Sequence, residues 1–514
     1  MLDTEAATGD PISEPAQGRQ LRARRIGLHT QREPVVIMRR DCPLCRSEGF
    51  AARSQVLVRA NQREVTAILF QGLEDSLERD EIGLSDAAWS LLDGREGELV
   101  SISHIQPPRS MQWVRGRIFG QPIGGEAFNE IIRDVVAGRY SDVQLSAFVT
   151  AGSSLPFSDD ETYALTRAMV DAGEQLRWGR DVIVDKHSVG GLPGNRTSPI
   201  VVAIVAACGL MIPKTSSRAI TSPAGTADAM ETVTRVALGP TLMRKVVEKE
   251  GGCLAWGGAL DLSPADDIFI GVERQLDVDP EGQLIASVLS KKIAAGSNHV
   301  VLDVPVGPTA KVRSQAVAAR LTARLEQIAA RFGMTVTCIL SDGTQPVGRS
   351  VGPGLEMKDV LAVLRGQSDA PADLRERALT LAAAVISSGT ACQAVNASAK
   401  AREMLESGLA FAKFERICIA QGGFREPATA KLQRTISALA DGRVVAMNNR
   451  AIAQLAKLAG APDVPAAGLQ LHVKLGDVVQ RGQPLITLHA DTEAEIAYPL
   501  AYAAATPDVI ALEG

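Results

Sequence analysis

The sequence predicts an α/β multidomain protein: a small β-rich N-terminal domain, an all-α domain, an α/β domain and a β-rich C-terminal domain. Three observations carry this expectation. Short alternating runs such as Gln55-Val-Leu-Val-Arg and Glu64-Val-Thr-Ala-Ile-Leu-Phe lie between Leu21 and the Pro107-Pro108 break. Amphipathic helical patterns follow beyond Gln121. From Asp181 onward, strand-like runs alternate with helices, the pattern of a largely parallel or mixed sheet.

Taken in order, residues 1–20 mix Glu, Asp, Pro, Gly and Ala and read as a disordered leader, neither signal peptide nor membrane anchor. Residues 21–110 form the β-rich domain. The α domain, 120–180 with part of 215–265 as an addition, is expected to hold helices over Phe128–Ala137, Ser141–Thr150 and Asp159–Gly173. Ser158 with Glu161 makes a capping box at the last of these. The α/β domain, 181–429, has strand candidates at Val182–Val184, Val300–Val304 and Thr335–Leu340. Its helix candidates are Pro199–Gly209, Thr241–Lys249, Gln283–Ala295 and Val312–Arg331, followed by a helical stretch from Pro371 to Gly408. Residues 430–514 form a C-terminal α+β, barrel-like domain. Its turn around Gly476–Leu485 resembles a lipoyl-type barrel half, without a lysine to modify at the tip.

The 514 residues are 46% apolar and 22% charged, ordinary for a soluble globular protein, and a net charge of −5 gives no footprint for nucleic acid or an anionic membrane. Apolar runs such as Ile200–Cys208 are too short to span a bilayer, so a cytoplasmic protein is expected. Seven cysteines are an odd number, against a disulfide framework. Cys42 and Cys45 form the one C-x-x-C; with no partner pair it reads as two thiols in a β-turn, and neither a metal nor a cofactor is called for.

Chemistry is expected in four places. The first is Asp185–Ser198, read as a glycine-rich loop between a strand and a helix, whose free N–H groups and positive helix end suit an anion. Lys186 adds charge, Ser188, Thr197 and Ser198 add hydroxyls, and His187 is a ligand candidate. Neither GxxxxGK[ST] nor GxGxxG is present. The second is Thr215–Thr226, with six hydroxyls and Arg218, an oxyanion cradle. The third is Ser287 and Lys291, four apart on one helix face, with Lys292 pointing elsewhere. The fourth is the set of carboxylates Asp261, Asp266, Asp267 and Asp279. Asp266 reads as a helix cap and Asp279 as either an N-cap or an acid.

Together, Lys186-His187-Ser188-x-Gly190-Gly191, Ser216-Ser217-Arg218-Ala219-Ile220-Thr221-Ser222-Pro223-Ala224-Gly225-Thr226 and Ser287-x-x-Ser290-Lys291-Lys292 resemble the thymidine and pyrimidine-nucleoside phosphorylase family, from about Gln121 to the C-terminus. The Gly194-Asn195-Arg196-Thr197 insertion and the extra β domain look most like the AMP phosphorylase branch and its bacterial relatives, which are regarded as thymidine phosphorylases. The resemblance implies α and α/β domains flanking a cleft, hinge closure, a homodimer or larger assembly, and phosphorolysis of an N-glycosidic bond. It places Lys186, Ser188, Ser198, Ser216 and Thr226 on inorganic phosphate, and His187, Ser287 and Lys291 on the base. By the AMP phosphorylase pattern, Gly191, Ser217, Arg218, Ala219, Ile220, Thr221, Ser222 and Thr226 contact the nucleotide and Asp279 donates the proton. Where thymidine phosphorylases carry an arginine 15 residues before the serine matching Ser287, this chain has Val272, with Arg274 out of register.

The implied substrates are phosphate with thymidine, giving thymine and 2-deoxyribose 1-phosphate, or with AMP, giving base and ribose 1,5-bisphosphate. For the nucleotide, the Arg218 loop is a candidate second anion site. A non-catalytic nucleotide-binding protein is the alternative of another class. One tension arises: a single helix over Asp279–Lys291 would span roughly 18 Å. Asp279 then reaches the base held by Lys291 only if the helix begins past Gly282.

Overall fold

The structure, a computed structural model, describes residues 20–514 apart from 31–32, 61, 73–75, 220–221, 277 and 390–393. The expected leader, except Gln20, and the two ligand candidates Ile220 and Thr221 lie outside the described residues. Two compact units result: one reaches to Gln112 and includes Asp134–Leu145, and the other comprises Trp113–Arg133 and Ser146–Gly514.

The first unit is built on a closed barrel of six strands, in the order Gln20–Arg25, Glu81–Leu84, Val35–Arg39, Arg63–Gly72, Gln55–Ala60 and Leu99–His104. Alternation supplies its interior: Val56 and Val58 on one strand, and Val65, Ala67 and Leu69 on its antiparallel neighbour, are all buried. The C-x-x-C departs from the β-turn expected of it. Pro43 sits at the first position of a helix, Pro43–Glu48, with Cys42 just before it. Both thiols are buried in the barrel core, Cys45 Sγ 4.0 Å from Met38 Sδ. Among the described residues no group of three His, Cys, Asp or Glu is placed to hold a metal ion.

In the second unit three parallel strands lie in the order Thr335–Asp342, His299–Val306, Val184–Ser188. A parallel pair, Ile212–Ser216 with Gly252–Trp256, continues beside Val184, whose N–H donates to the Met211 carbonyl. The middle strand is buried on both faces, as parallel strands are. Val300, Leu302 and Val304 enter the core beneath helix Gln315–Ala330, while Val301 joins Ile200–Ala206 of helix Ser198–Ala207. Helix Asp159–Asp171 packs on helix Glu281–Ala294 and begins with the expected box: Ser158 Oγ accepts from Glu161 N at 3.2 Å and Glu161 Oε2 accepts from Ser158 N at 2.9 Å. The Pro371–Gly408 stretch is two helices, Ala372–Gly389 and Ala394–Glu406.

The C-terminal residues form two antiparallel sheets. One runs Ser350–Val351, Gly468–Leu471, Pro484–Ala490, Leu432–Ser437; the other runs Val478–Val479, Gly442–Met447, Ile510–Glu513. Helices Asn449–Leu458 and Glu493–Ala505 share their core. No helix among the described residues is long and apolar enough to cross a membrane.

Candidate active site

The polar segment at the centre of the sequence is only half a loop. Val184–Ser188 is a strand, in register with the middle strand so that Lys186 lies opposite Val301 and Ser188 opposite Asp303. Val189 continues the backbone bonding and the loop proper follows it. The strand pleat then sorts the side chains: Lys186 and Ser188 go to one face, Asp185 and His187 to the other. Gly191 carries φ +80°, and a Cβ there would meet the Lys311 backbone nitrogen at 2.8 Å, so the loop closes down on Lys311 only as glycine.

On the first face, Lys186 is 1% exposed and its Nζ donates to Thr197 Oγ1 at 2.7 Å. Ser188 Oγ donates to Asp303 Oδ2 at 3.1 Å, and Asn195 Nδ2 donates to both, at 3.3 and 2.8 Å. Ser341 Oγ completes the set on Asp303 Oδ1 at 2.5 Å. Ser198 opens helix Ser198–Ala207 with Pro199 behind it, presenting the positive helix end beside Lys186. Arg196 is held by the buried Glu356 at 2.7–2.8 Å and passes NH1 to Thr226 Oγ1 and NH2 to the Ala224 carbonyl, both at 2.8 Å. Thr226 is the first residue of its helix, after Gly225.

On the second face, helix Glu281–Ala294 brings Lys291, whose Nζ donates to Asp266 Oδ2 at 2.7 Å and Ser287 Oγ at 3.1 Å. This corrects the reading of Asp266 as a helix cap: its carboxylate orients Lys291. Lys292 points elsewhere, as expected, but into the interior. It is 1% exposed and donates to Asp185 Oδ2 at 2.6 Å.

These groups line one cavity of about 190 Å³. Lys186, His187, Ser188, Gly191, Ser198, Ser216, Ser217, Arg218, Ser222, Thr226, Ser287 and Lys291 all border it. Ser216 Oγ and Asn195 Oδ1 are buried there without a hydrogen-bond partner, polar atoms placed for a ligand. Ala219 lies instead on a neighbouring cavity of about 770 Å³. Asp279 is elsewhere too. The helix begins at Glu281 and not past Gly282, so Asp279 remains at its far end, on a third cavity of about 350 Å³, paired with Lys311 at 2.7 Å. That helix entry removes Asp279 from Lys291 as the 1.5 Å rise requires. Arg218 is committed to Asp228 and Glu231, at 3.1 and 2.5 Å, over the Trp256 ring, so its charge is already matched. Val272 is buried in the core, and Arg274 borders the two neighbouring cavities.

Lys214, Asp303 and Glu356 were given no role by the sequence, although Lys214 lies two residues before Ser216, and Asn195 and Arg196 stood out only as part of the Gly194–Thr197 insertion. Burial pushes the Lys186 ammonium down to about 8, against the pull of Asp303. Burial first, and then neighbouring lysines with Lys292 foremost, hold His187 well below the imidazole range, so it is neutral at pH 7. Burial works to raise the Asp303 carboxyl, but Lys186, Arg377, Ser341 and Asn195 bring it below its ordinary value. Glu273 is pushed up to about 7, by burial first and then by Asp266 and Asp279.

Comparison with known proteins fits this geometry. Residues 180–411 match the model of the glycosyl transferase family a/b domain, 115–173 its helical bundle domain, and 443–506 the pyrimidine nucleoside phosphorylase C-terminal domain. A Chelativorans sp. (strain BNC1) protein named "Putative thymidine phosphorylase" is 57% identical over 494 residues, covering 96% of this chain and 97% of that one. The chain belongs to the thymidine and pyrimidine-nucleoside phosphorylase family. A second member so named, from Parvibaculum lavamentivorans, is 56% identical over 493 residues, 96% and 98% of the two chains. As a member of this family the protein is a pentosyltransferase. The anthranilate phosphoribosyltransferase of Thermus thermophilus shares the fold, with a TM-score of 0.51 at 22% identity over 60% of this chain and 98% of that one.

Proposed function

We propose that this phosphorylase family member cleaves the N-glycosidic bond of thymidine with inorganic phosphate, giving thymine and 2-deoxyribose 1-phosphate. The observation that carries the reading is that one cavity gathers both sets: Lys186, Ser188, Ser198, Ser216 and Thr226, which we assign to phosphate, and His187, Ser287 and Lys291, which we assign to the base. Phosphate on the first set is aligned with the anomeric carbon of a nucleoside whose base meets the second.

As the glycosidic bond lengthens, the sugar gains positive and the base negative charge, and Lys291, steadied by Asp266, faces the departing base. Neutral His187 offers a hydrogen bond rather than a proton. The proton lost by monohydrogen phosphate on forming the C–O bond balances the one gained by the base. Of the carboxyl groups near this helix, Glu273 is half protonated near pH 7, whereas Asp279 is tied to Lys311. Homodimerisation or larger assembly, as the family resemblance implies, belongs to the same reading.

A nucleoside 5′-monophosphate is the second reading, and one observation favours it. The 350 Å³ cavity shares Gly191, Pro193, Ser222 and Lys311 with the main one and is bordered by Arg274, Lys311, Arg450 and Lys457, against the single carboxylate Asp279. Initial rates of thymine release from thymidine and adenine release from AMP, with and without Lys311→Met, separate the readings. Thymidine turnover indifferent to Lys311 supports the first; AMP turnover lost with Lys311 supports the second.

A further inference from the structure

Lys214 is an unexplained cation in the wall of this site. It stands on strand Ile212–Ser216, borders the main cavity, and its side chain is 3% exposed. Its Nζ donates to the Thr215 carbonyl at 2.6 Å but lies 3.9 Å from Asp185 Oδ1. That carboxylate is already occupied: Oδ2 by Lys292 Nζ at 2.6 Å, Oδ1 by the Lys186 backbone N–H at 2.7 Å. Lys292 also reaches the same Thr215 carbonyl, at 3.4 Å.

The surrounding charges leave the excess unmatched. Strand Val184–Ser188 contributes Asp185, Lys186 and His187; helix Glu281–Ala294 contributes Lys291 and Lys292; strand Gly252–Trp256 contributes the Cys253 thiol, 3.7 Å from the Lys214 carbonyl. Asp266 serves Lys291, and Asp303 lies toward Lys186. Lysines 186, 214, 291 and 292 therefore face Asp185, Asp266 and Asp303. Burying an ammonium without a full partner is costly, so either one of these lysines gives up its proton or an anion fills the cavity.

We propose that Lys214 is a further phosphate-binding residue, uncharged in the empty site and protonated from solvent as a phosphate dianion enters. The amine and one solvent proton give the ammonium; no other bond forms or breaks. Burial and the neighbouring Lys292 hold Lys214 well below the usual lysine range, in line with this arrangement. The inference rests on the phosphate reading of the cavity. It makes Lys214 a gauge of anion charge: phosphate binding draws a proton into the wall.

The test is calorimetric titration of the full chain with inorganic phosphate at pH 7, in buffers of different ionisation enthalpy, which counts protons taken up per phosphate. Lys186, at about 8, is already mostly charged there. The wild type takes up close to one proton more than Lys214→Met, and the variant has a raised KM for phosphate with the nucleoside KM unchanged. Equal proton counts overturn the proposal. Failure of the wild type to bind phosphate overturns the phosphate reading itself, a distinct result. Should Lys214→Met not fold, carbon NMR of the lysine ε-methylenes in the wild type decides: one neutral amine that becomes ammonium with phosphate supports the role, and its absence overturns it.

Discussion

Lys186 and Arg196 enter the same wall of the cavity for different reasons. Lys186 has one hydroxyl partner, Thr197, and an incomplete charge match, which keeps it available to a ligand. Arg196 is fully engaged by Glu356, Thr226 and Ala224, so it shapes the cradle by fixing Thr226. Lys186→Met should therefore reduce phosphorolysis by roughly 10²-fold or more with little loss of stability, the scale of removing one fixed donor to a transition-state charge. Arg196→Met strands the buried Glu356 carboxylate and should cost about 3–5 kcal/mol in denaturant unfolding. None of Arg196's three partners was visible locally: Glu356 lies 160 residues away in the chain, Thr226 30 and Ala224 28. Glu273 stands seven residues, two turns, beyond Asp266 on one helix face. With its carboxyl near 7, its proton is present below and lost above that pH. As proton donor it should give kcat an alkaline limb near pH 7 that Glu273→Gln abolishes; a variant keeping the limb exonerates Glu273.

At the level of elements, hydrophobic periodicity located several helices and the strands Val300–Val304 and Thr335–Leu340, within their longer observed spans, but not the buried strands Ile212–Ser216 and Gly252–Trp256. It missed where Val184–Ser188 ends, since Asp185, Lys186, His187 and Ser188 look like loop residues. Their strand conformation comes from pairing with His299–Val306, more than a hundred positions on, and sequence-local patterning cannot register that. The same holds for Lys292, whose partner Asp185 sits 107 residues away. The motifs that gather in one cavity were legible because each is compact; the charges that balance them were not. On strand Pro484–Ala490, His489 is buried with both ring nitrogens unpartnered, and burial, then Lys358 and His472, lower its pKa. Its folded value lies below the unfolded one, so its contribution is intact above about pH 6.5 and drains away as pH falls, at up to about 1.4 kcal/mol per pH unit. Denaturant unfolding between pH 7 and 5 should show that slope, and His489→Leu should flatten it.

At the scale of the whole molecule, the proposed anion site lies at the strand ends of a parallel sheet, and helix Glu281–Ala294, which carries Ser287 and Lys291, is packed on the Asp159–Asp171 helix. Ligands gather at the carboxyl ends of strands in such sheets. Here Ser188, Ser216 and Asp303 all lie at or near those ends. The central claim is that phosphate is the nucleophile. Radiolabelled inorganic phosphate incubated with the protein and thymidine tests it directly. The account predicts label in 2-deoxyribose 1-phosphate in amounts equal to the thymine released, and no release without phosphate. Thymine released in phosphate-free buffer, or no base from either thymidine or AMP, would contradict it.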